Sequence, residues 1–177
     1  MCLSRLRIRS LTRDDGAALD AVFGGMSAQS RFFRFHSPVP RLSGRMRHAL
    51  LDLDGRNRVA LVAELPNPDG WAPIGIARLV RTGDLQAELA VAVVDRWQRH
   101  GVGRRLLEAL GDLAVELGYA EIYAEVHPEN DVIVRLLQRV FPNMLPTRDN
   151  SVVRVPLPDR PGRGHSGESA RGAAFGR

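Results

Sequence analysis

Along the first third of the chain, the spacing of apolar positions predicts one strand followed by three short helices. Residues 6–11 alternate apolar and basic side chains, as expected of a half-buried edge strand. Helices are predicted over residues 12–23, 27–35 and 43–53, and each begins with a serine or threonine that can serve as an N-cap.

The middle of the chain predicts three strands. Residues 59–65 and 74–80 are apolar runs separated by segment 66–70, which consists of Pro, Asn, Asp and Gly and has strong turn chemistry. This arrangement predicts an antiparallel hairpin. Residues 86–94 follow a second turn and are predicted to form the central strand of the sheet.

A long amphipathic helix, one further strand–helix unit and a last strand complete the pattern. The helix ends at Gly118, and its apolar stripe follows three- and four-residue steps. That stripe comprises Val102, Leu106, Leu110, Leu113 and Leu117. Residues 119–126 are predicted as a strand, Asn130 as the start of a helix, and residues 152–157 as a strand after a turn at 147–150. Strands and helices therefore alternate as in an α/β domain.

Residues 98–104, between the central strand and the long helix, form the most informative motif of the chain. The first N–H groups of a helix have no partner within the helix, and the helix dipole favours an anion there. Gly101 and Gly103 would let the backbone approach an anion closely, and Arg99, Arg104 and Arg105 add cationic donors. The motif predicts a phosphate-binding turn.

Two other phosphate-binding motifs do not fit this turn. A P-loop requires a lysine, and the chain contains none. A dinucleotide fingerprint requires a third glycine, where the chain has Leu106, and an acidic residue that ends a second parallel strand. Glu121 lies at the required spacing of about 20 residues, but it falls at the beginning of predicted strand 119–126 instead of at its end.

Residues 88–140 resemble the cofactor-binding region of the GNAT superfamily of N-acetyltransferases. The strand, the Gln-x-x-Gly-x-Gly turn and the long helix are similar to motif A of that family, and the strand–Asn130–helix unit is similar to a further family element. The resemblance extends over roughly residues 7–157. It implies an α/β (α+β) fold with a mixed, mostly antiparallel sheet of six to seven strands, flanked by helices and splayed around an acyl-CoA site.

The resemblance also implies acetyl-CoA as co-substrate, with no metal. In the family, the turn amides hold the pyrophosphate, the preceding strand bonds the pantetheine arm through its backbone, and the asparagine contacts the cofactor. Carried onto this chain, these contacts fall on Val91, Ala92, Val93, Gln98, Arg99, His100, Gly101, Val102, Gly103, Arg104 and Asn130.

Glu88 is the candidate catalytic base, since an amine must lose a proton to attack a thioester. It begins an otherwise apolar strand beside the implied cofactor, where partial desolvation would strengthen a carboxylate base. The alternative is an exposed carboxylate without a catalytic role. His127 and Glu129 form a His-x-Glu pair, but a zinc deaminase also needs paired cysteines, which the chain lacks. The histidines are therefore interpreted as structural or surface residues.

Two departures from the family pattern concern the leaving group. Many GNAT enzymes carry a tyrosine seven residues after the asparagine, where this chain has Leu137, and Phe141-Pro142 replaces the usual Gly-Phe. Because thiol pKa values are about 8.5, the thiolate of coenzyme A can leave with water as its proton source.

Composition favours one globular domain. The chain has 177 residues, of which 44% are hydrophobic and 25% charged, and no apolar run approaches the roughly 20 residues of a membrane span. Arginines at positions 5, 7 and 9 interrupt the N-terminus where a signal peptide would need an apolar segment. A cytoplasmic location is predicted, and the single cysteine, Cys2, excludes an intrachain disulfide.

The formal charge of +5 makes nucleic acid a partner to consider. Residues 158–177, rich in Gly, Pro, Ser and Arg, are predicted to be a disordered basic tail behind an acetyltransferase domain over residues 1–157. This tail holds much of the excess charge, and the other arginines are interspersed with acidic residues. Specific nucleic-acid binding therefore ranks last among the functions considered.

The acceptor side is expected in the N-terminal helices. Residues 27–36 are similar to a Ser-x-x-Ser-x-Tyr/Phe-x-Arg-Phe stretch of bacterial protein lysine acetyltransferases, which slightly favours a protein lysine over a small amine. Alternatively, the phenylalanines only bury one helix face. The leading hypothesis is an acetyltransferase acting on a primary amine, the second is a non-catalytic acyl-CoA-binding module, and a homodimer is left open.

Overall fold

The computed structural model describes residues 3–147 and 151–158. Over these residues the chain forms seven strands and five α-helices. The strands are β1 (Arg7–Ser10), β2 (Arg58–Asn67), β3 (Gly70–Arg81), β4 (Gln86–Val93), β5 (Glu121–Glu125), β6 (Leu145–Pro146) and β7 (Val152–Pro156). The helices are α1 (Gly16–Gly24), α2 (Ala28–Phe35), α3 (Gly44–Leu51), α4 (Val102–Leu117) and α5 (Asp131–Val140). The predicted tail lies outside the described residues except for Pro158.

The strands form one mixed sheet with the order β1-β2-β3-β4-β5-β7-β6. Neighbouring strands are antiparallel except β4 and β5, which are parallel. β2 and β3 form the predicted hairpin, but both extend into segment 66–70, so that only Pro68 and Asp69 remain in the turn. The predicted mixed, mostly antiparallel fold is confirmed.

Helices cover both faces of the sheet. Because side chains alternate along a strand, the odd-numbered residues 89–93 of β4 point to one face and the even-numbered residues 88–92 to the other. α4 and α5 pack on the first, here called the α4 face, over the larger hydrophobic core. α1, α2 and α3 cover the second, the α2 face, where a smaller core lies. No helix among the described residues combines the length and apolar character needed to cross a membrane.

The helix starts follow the predicted caps in two of three cases. Ser27 and Ser43 cap α2 and α3, and each hydroxyl accepts a hydrogen bond at 3.2 Å from the third backbone N–H after it. Thr12 does not cap α1, which begins at Gly16 with Asp15 in the N-cap position. The backbone N–H of Thr12 instead donates to the Asp15 carboxylate at 2.7 Å. The helix therefore begins about one turn later than predicted.

A charge cluster holds β1 against β2. Glu64 is almost fully buried and accepts hydrogen bonds from the guanidinium groups of Arg7 and Arg9. Arg9 also donates to both oxygens of Asp15, at 2.9 and 2.8 Å, which holds the pKa of that carboxyl well below its usual range. A buried carboxylate is stable only with such partners, so the cluster fixes the edge strand and the start of α1 together.

Candidate functional site

β4 and β5 separate after a short paired stretch. Residues 86–88 pair with residues 121–123, and no described strand pairs with that edge of β4 beyond Glu88. Val94 donates its N–H to Ile74 across the β3 side at 2.9 Å. Since polar groups alternate along an antiparallel ladder, Val91 and Val93 direct their N–H and C=O groups into the gap between the strands. The gap therefore presents a strand edge to which an extended, amide-containing chain can bond.

The three strand residues predicted to contact the cofactor differ in what they offer. Val91 presents both backbone polar groups to the gap, whereas the carbonyl of Val93 already accepts a hydrogen bond from the Gln98 side chain at 3.2 Å. Ala92 directs its backbone toward β3 and its methyl group toward the α2 face. Any contact made by Ala92 must therefore come from its side chain.

The turn between β4 and α4 presents a row of N–H groups. Arg99 has φ of 60° and Gly101 has φ of 87°, so the backbone turns through the left-handed region twice before α4 begins. In the part of the chain that the structure describes, the N–H groups of residues 99–104 have no hydrogen-bond acceptor. Together with the helix dipole, these donors suit an anion such as a pyrophosphate.

Gly103, in the first turn of α4, is packed closely against α5. A Cβ at this position would lie 3.1 Å from Cδ2 of Leu136 on α5. Val102, beside it, is fully buried in the main core and anchors the turn. Close packing of α4 on α5 is a reason for this glycine in addition to the predicted approach of an anion.

Two side chains of the turn, unlike its backbone N–H groups, already have hydrogen-bond or ion-pair partners. The Gln98 amide donates to Ser30, Val93 and Asp95, each within 3.2 Å. The Arg104 guanidinium pairs with Glu108 at 2.7 Å on the exposed surface of α4. The predicted contacts of these side chains, and of Arg99 and His100, with the cofactor stay predictions. Through its three hydrogen bonds, Gln98 holds the turn in place.

Asn130 lies at the same edge of the sheet as the turn. β4 and β5 are parallel, so the segments that follow them emerge on the same side. The Asn130 Oδ1 caps α5 by accepting from the Ile133 N–H at 3.4 Å. Its Nδ2 has no acceptor among the described residues and can donate to a ligand.

Over the described residues, no group of three or more His, Cys, Asp or Glu side chains could hold a metal ion.

Glu88 stands where β4 and β5 separate, on the α2 face. It is half-buried and pairs with Tyr123, so both side chains point to the same face. Arg34 of α2 and Arg78 of β3 lie close enough for electrostatic attraction to Glu88. Desolvation lowers the pKa of Arg34 to about 10, and the pKa of Arg78 is also lowered by burial. The candidate base therefore lies beside two poorly solvated cations.

α2 crosses the edge at which the two strands separate. Burial opposes ionisation of Asp95, but hydrogen bonds from Ser27 and Ser30 outweigh it and lower the pKa of this carboxyl. These bonds tie the start of α2 to the segment after β4. Near its other end, the ring of Phe32 packs edge-on against His127, after β5, with 5.0 Å between ring centroids. The helix thus closes one side of the gap.

The sequence analysis does not single out Arg78 as a residue of this site, nor does it predict how deeply Leu137 is buried. Arg78 interrupts the apolar run 74–80, a signal that was available but not used. Leu137, at the position of the family's tyrosine, is fully buried in the main core, so that no polar side chain at this position faces the gap.

Comparison with known proteins agrees with this geometry. The model of the acetyltransferase (GNAT) domain family matches residues 5–140. An acetyltransferase of Pseudomonas aeruginosa is 27% identical over 118 residues, which cover 66% of this chain and 63% of that protein. The chain therefore matches less than two thirds of the length of that curated relative.

Solved structures share the fold. The GNAT domain of S. lividans PAT is 30% identical, with a TM-score of 0.74, and the match covers 85% of this chain and 88% of that one. A GNAT superfamily phosphinothricin acetyltransferase from Sinorhizobium meliloti, solved in complex with AcCoA, is 14% identical with a TM-score of 0.68, over 86% of this chain and 89% of that one. Because the family model matches more than half of its residues, the chain belongs to the GNAT acetyltransferase family.

Proposed function

We propose that this protein transfers the acetyl group of acetyl-CoA to a primary amine. The observation that carries the proposal is the pairing of an open β4 edge with a turn whose N–H groups have no acceptor among the described residues. An acyl-CoA molecule carries the matching chemistry, an amide-containing arm next to a pyrophosphate. Membership of the GNAT family supports the same reaction.

The residues present fit acetyl-CoA. Val91 would bond the pantetheine arm through its backbone, and Val93 through its N–H. The N–H groups of residues 99–104 would hold the pyrophosphate, and the Nδ2 of Asn130 would donate to the arm or the phosphates. When bound, acetyl-CoA supplies an acetyl group activated as a thioester.

Glu88 accepts the proton of the amine. In the transfer, the bond between the acetyl carbon and sulfur breaks, a bond from that carbon to nitrogen forms, and the amine loses one proton. Glu88 is half-buried at the point where the strands separate, a place from which a carboxylate can act directly or through one water molecule. Coenzyme A leaves as the thiol with a proton from water, since position 137 holds a buried leucine.

Protein lysine and small amines both remain acceptors to test. Similarity of residues 27–36 to a stretch of bacterial protein lysine acetyltransferases supports the former. An acyl-CoA-binding module without catalysis is the second candidate function, favoured by the absence of a polar group at position 137.

One experiment separates these functions. The purified chain is titrated with acetyl-CoA by calorimetry and then assayed for thiol release with a panel of small amines and lysine peptides, with acetylated products identified by mass spectrometry. Binding together with amine-dependent release supports the enzyme. Binding without release for any amine supports the module, and an absence of binding overturns both.

A further inference from the structure

Arg34 and Arg78 line a small cavity on the α2 face. The cavity has a volume of about 40 Å³ and lies between α1, α2 and the sheet. Apart from the two arginines, its lining is apolar and includes Phe35 and Ala90. By the usual requirement of roughly 10–15 Å³ for each water molecule, it has room for about three non-hydrogen atoms. That is the size of a carboxylate group.

Neither guanidinium has its hydrogen bonds satisfied within the described residues. Nη2 of Arg78 donates to the carbonyl of Ala49 at 2.9 Å, but Nε is buried and has no partner. Arg34 makes no hydrogen bond and has no carboxylate within 4.0 Å among those residues. Its side chain is deep but still reached by solvent. Poorly solvated donors without a partner are costly unless a ligand supplies one.

The charges at the cavity are unbalanced. Arg34 and Arg78 repel each other, and Glu88 attracts both. Asp52 also attracts Arg78, but Arg58 repels it. The one carboxylate that attracts both poorly solvated cations is therefore Glu88, which the proposed mechanism uses as a base. An anionic group in the cavity would remove this excess of positive charge.

The cavity adjoins the proposed base and lies away from the α4 face. Arg78 pairs with Ala90, and Glu88 is two residues before Ala90 on the same face, a diagonal separation of roughly 7–8 Å between neighbouring strands. A molecule whose anionic group contacts the arginines can therefore bring an amine a few bonds away toward Glu88. This places the cavity on the acceptor side.

We propose that Arg34 and Arg78 bind an anionic group of the acceptor, which is therefore a primary amine with a carboxylate a few bonds away, as in a free amino acid. This inference rests on the proposed acetyl transfer. It selects a small anionic amine over an internal protein lysine, which carries no carboxylate close to its amine.

Activity with matched acceptors tests the inference. L-leucine and L-leucinamide have the same shape around the amine but differ in charge, and their rates are compared at equal concentrations of unprotonated amine. We expect kcat/KM to favour leucine by about 10- to 100-fold, the usual effect of a charge-assisted hydrogen bond in a poorly solvated site. Arg34→Gln should remove this preference by slowing leucine alone, and Arg34→Lys should restore part of it.

Arg45→Gln is the matched control. Arg45 is exposed on α3 and outside the site, so its loss removes one charge without changing the preference. Equal rates for the two acceptors, or a preference for a neutral lysine peptide that Arg34→Gln leaves unchanged, would overturn the inference while leaving acetyl transfer intact.

A binding measurement covers the case in which no amine is acetylated. The probe is 4-methylpentanoate, a carboxylate without an amine, titrated by calorimetry into the protein saturated with acetyl-CoA. Binding to the parent and to Arg45→Gln, with loss in Arg34→Gln, supports the anion site even if the catalytic proposal fails. No binding to the parent at millimolar concentration rejects the anion site.

Discussion

Glu88 shows how much a single residue depends on its neighbours in space. Its position at the start of an apolar strand indicated partial burial, which the structure has. Its two cationic neighbours, Arg34 and Arg78, come from a helix and a strand that are distant in the chain. The surroundings of the candidate base are therefore set by segments that only the fold brings together.

Replacing Glu88 by glutamine tests its role as base. The amide keeps the size of the side chain but cannot accept a proton, so kcat should fall by about 100-fold or more while acetyl-CoA affinity changes little. The acid limb of the pH–rate profile should move or disappear. Steady-state kinetics from pH 5 to 9 and calorimetry provide the measurements.

Glu116→Gln is the control for this substitution, because Glu116 is an exposed glutamate on α4. Its turnover should equal that of the parent. If Glu88→Gln also turns over at the parent rate at every pH, Glu88 is not the base.

The contact between Asp15 and Arg9 predicts how acid changes the free energy of unfolding. Its pKa lies below the ordinary value of about 3.9, mainly through the hydrogen bonds from Arg9. The carboxylate therefore stabilises the fold at all pH values above about 4, and this contribution is lost as the pH falls further. Asp15→Asn should lower the free energy of unfolding by about 1–3 kcal/mol at pH 7. The difference from the parent should narrow below about pH 4.

Urea unfolding at several pH values measures this difference. Asp14→Asn is the control, since Asp14 is exposed and makes no ion pair or hydrogen bond among the described residues. A constant difference between Asp15→Asn and the parent down to pH 2 would mean that the Arg9 contact does not act through charge.

At the scale of single elements, α4 has a left-handed residue at each end. Gly101 has φ of 87° at its start and Gly118 has φ of 84° at its end. An alanine in either place costs about 1–2 kcal/mol, because its Cβ crowds the backbone in this conformation. The two ends differ in function, since only the first bears the N–H groups of the proposed phosphate turn.

Gly101→Ala and Gly118→Ala should therefore have similar effects on stability and different effects on binding. Both should lower the melting temperature of the free protein. Acetyl-CoA at 100 times its dissociation constant stabilises the parent by about 2.7 kcal/mol, and the resulting rise in melting temperature should shrink only in Gly101→Ala. Thermal unfolding with and without acetyl-CoA makes the comparison. Equal ligand-induced rises in both variants would contradict a binding role for the turn.

For the molecule as a whole, β7 completes the sheet between β5 and β6. The N–H of Leu157 donates to the carbonyl of Ala120 at 2.8 Å, so the chain is held to the domain up to this residue. The compositional change beyond it predicts a boundary between the domain and a basic tail.

Truncation after Asp159 tests that boundary. The residues removed have no apolar stripe, so melting temperature and acetyl-CoA affinity should remain within error of the full chain. Only a weak, salt-sensitive association with polyanions such as heparin should be lost, because exposed arginines attract through screened charges. A large drop in melting temperature would show that the tail packs on the domain.

Much of the fold could be predicted because its signals are local. Within the described residues, the apolar pattern located the five helices and every strand except the two-residue β6. Ser27 and Ser43 marked helix starts through their side chains, and Gly118 marked a helix end through its left-handed backbone. Where a distant partner decided the outcome, local reasoning was wrong. Asp15, and not Thr12, occupies the N-cap position of α1, because Arg9 of β1 holds its carboxylate and Thr12 donates to it.

The candidate site likewise combines features that the local sequence determined with features that only tertiary contacts decided. The sequence by itself determined the turn of residues 98–104 and the cap at Asn130, because glycines, an asparagine and helix starts act within a few residues. Tertiary structure alone decided where β4 and β5 separate, and that Arg34, Arg78 and Glu88 meet at one cavity. These features depend on strand pairing and desolvation between distant segments, which no local pattern encodes.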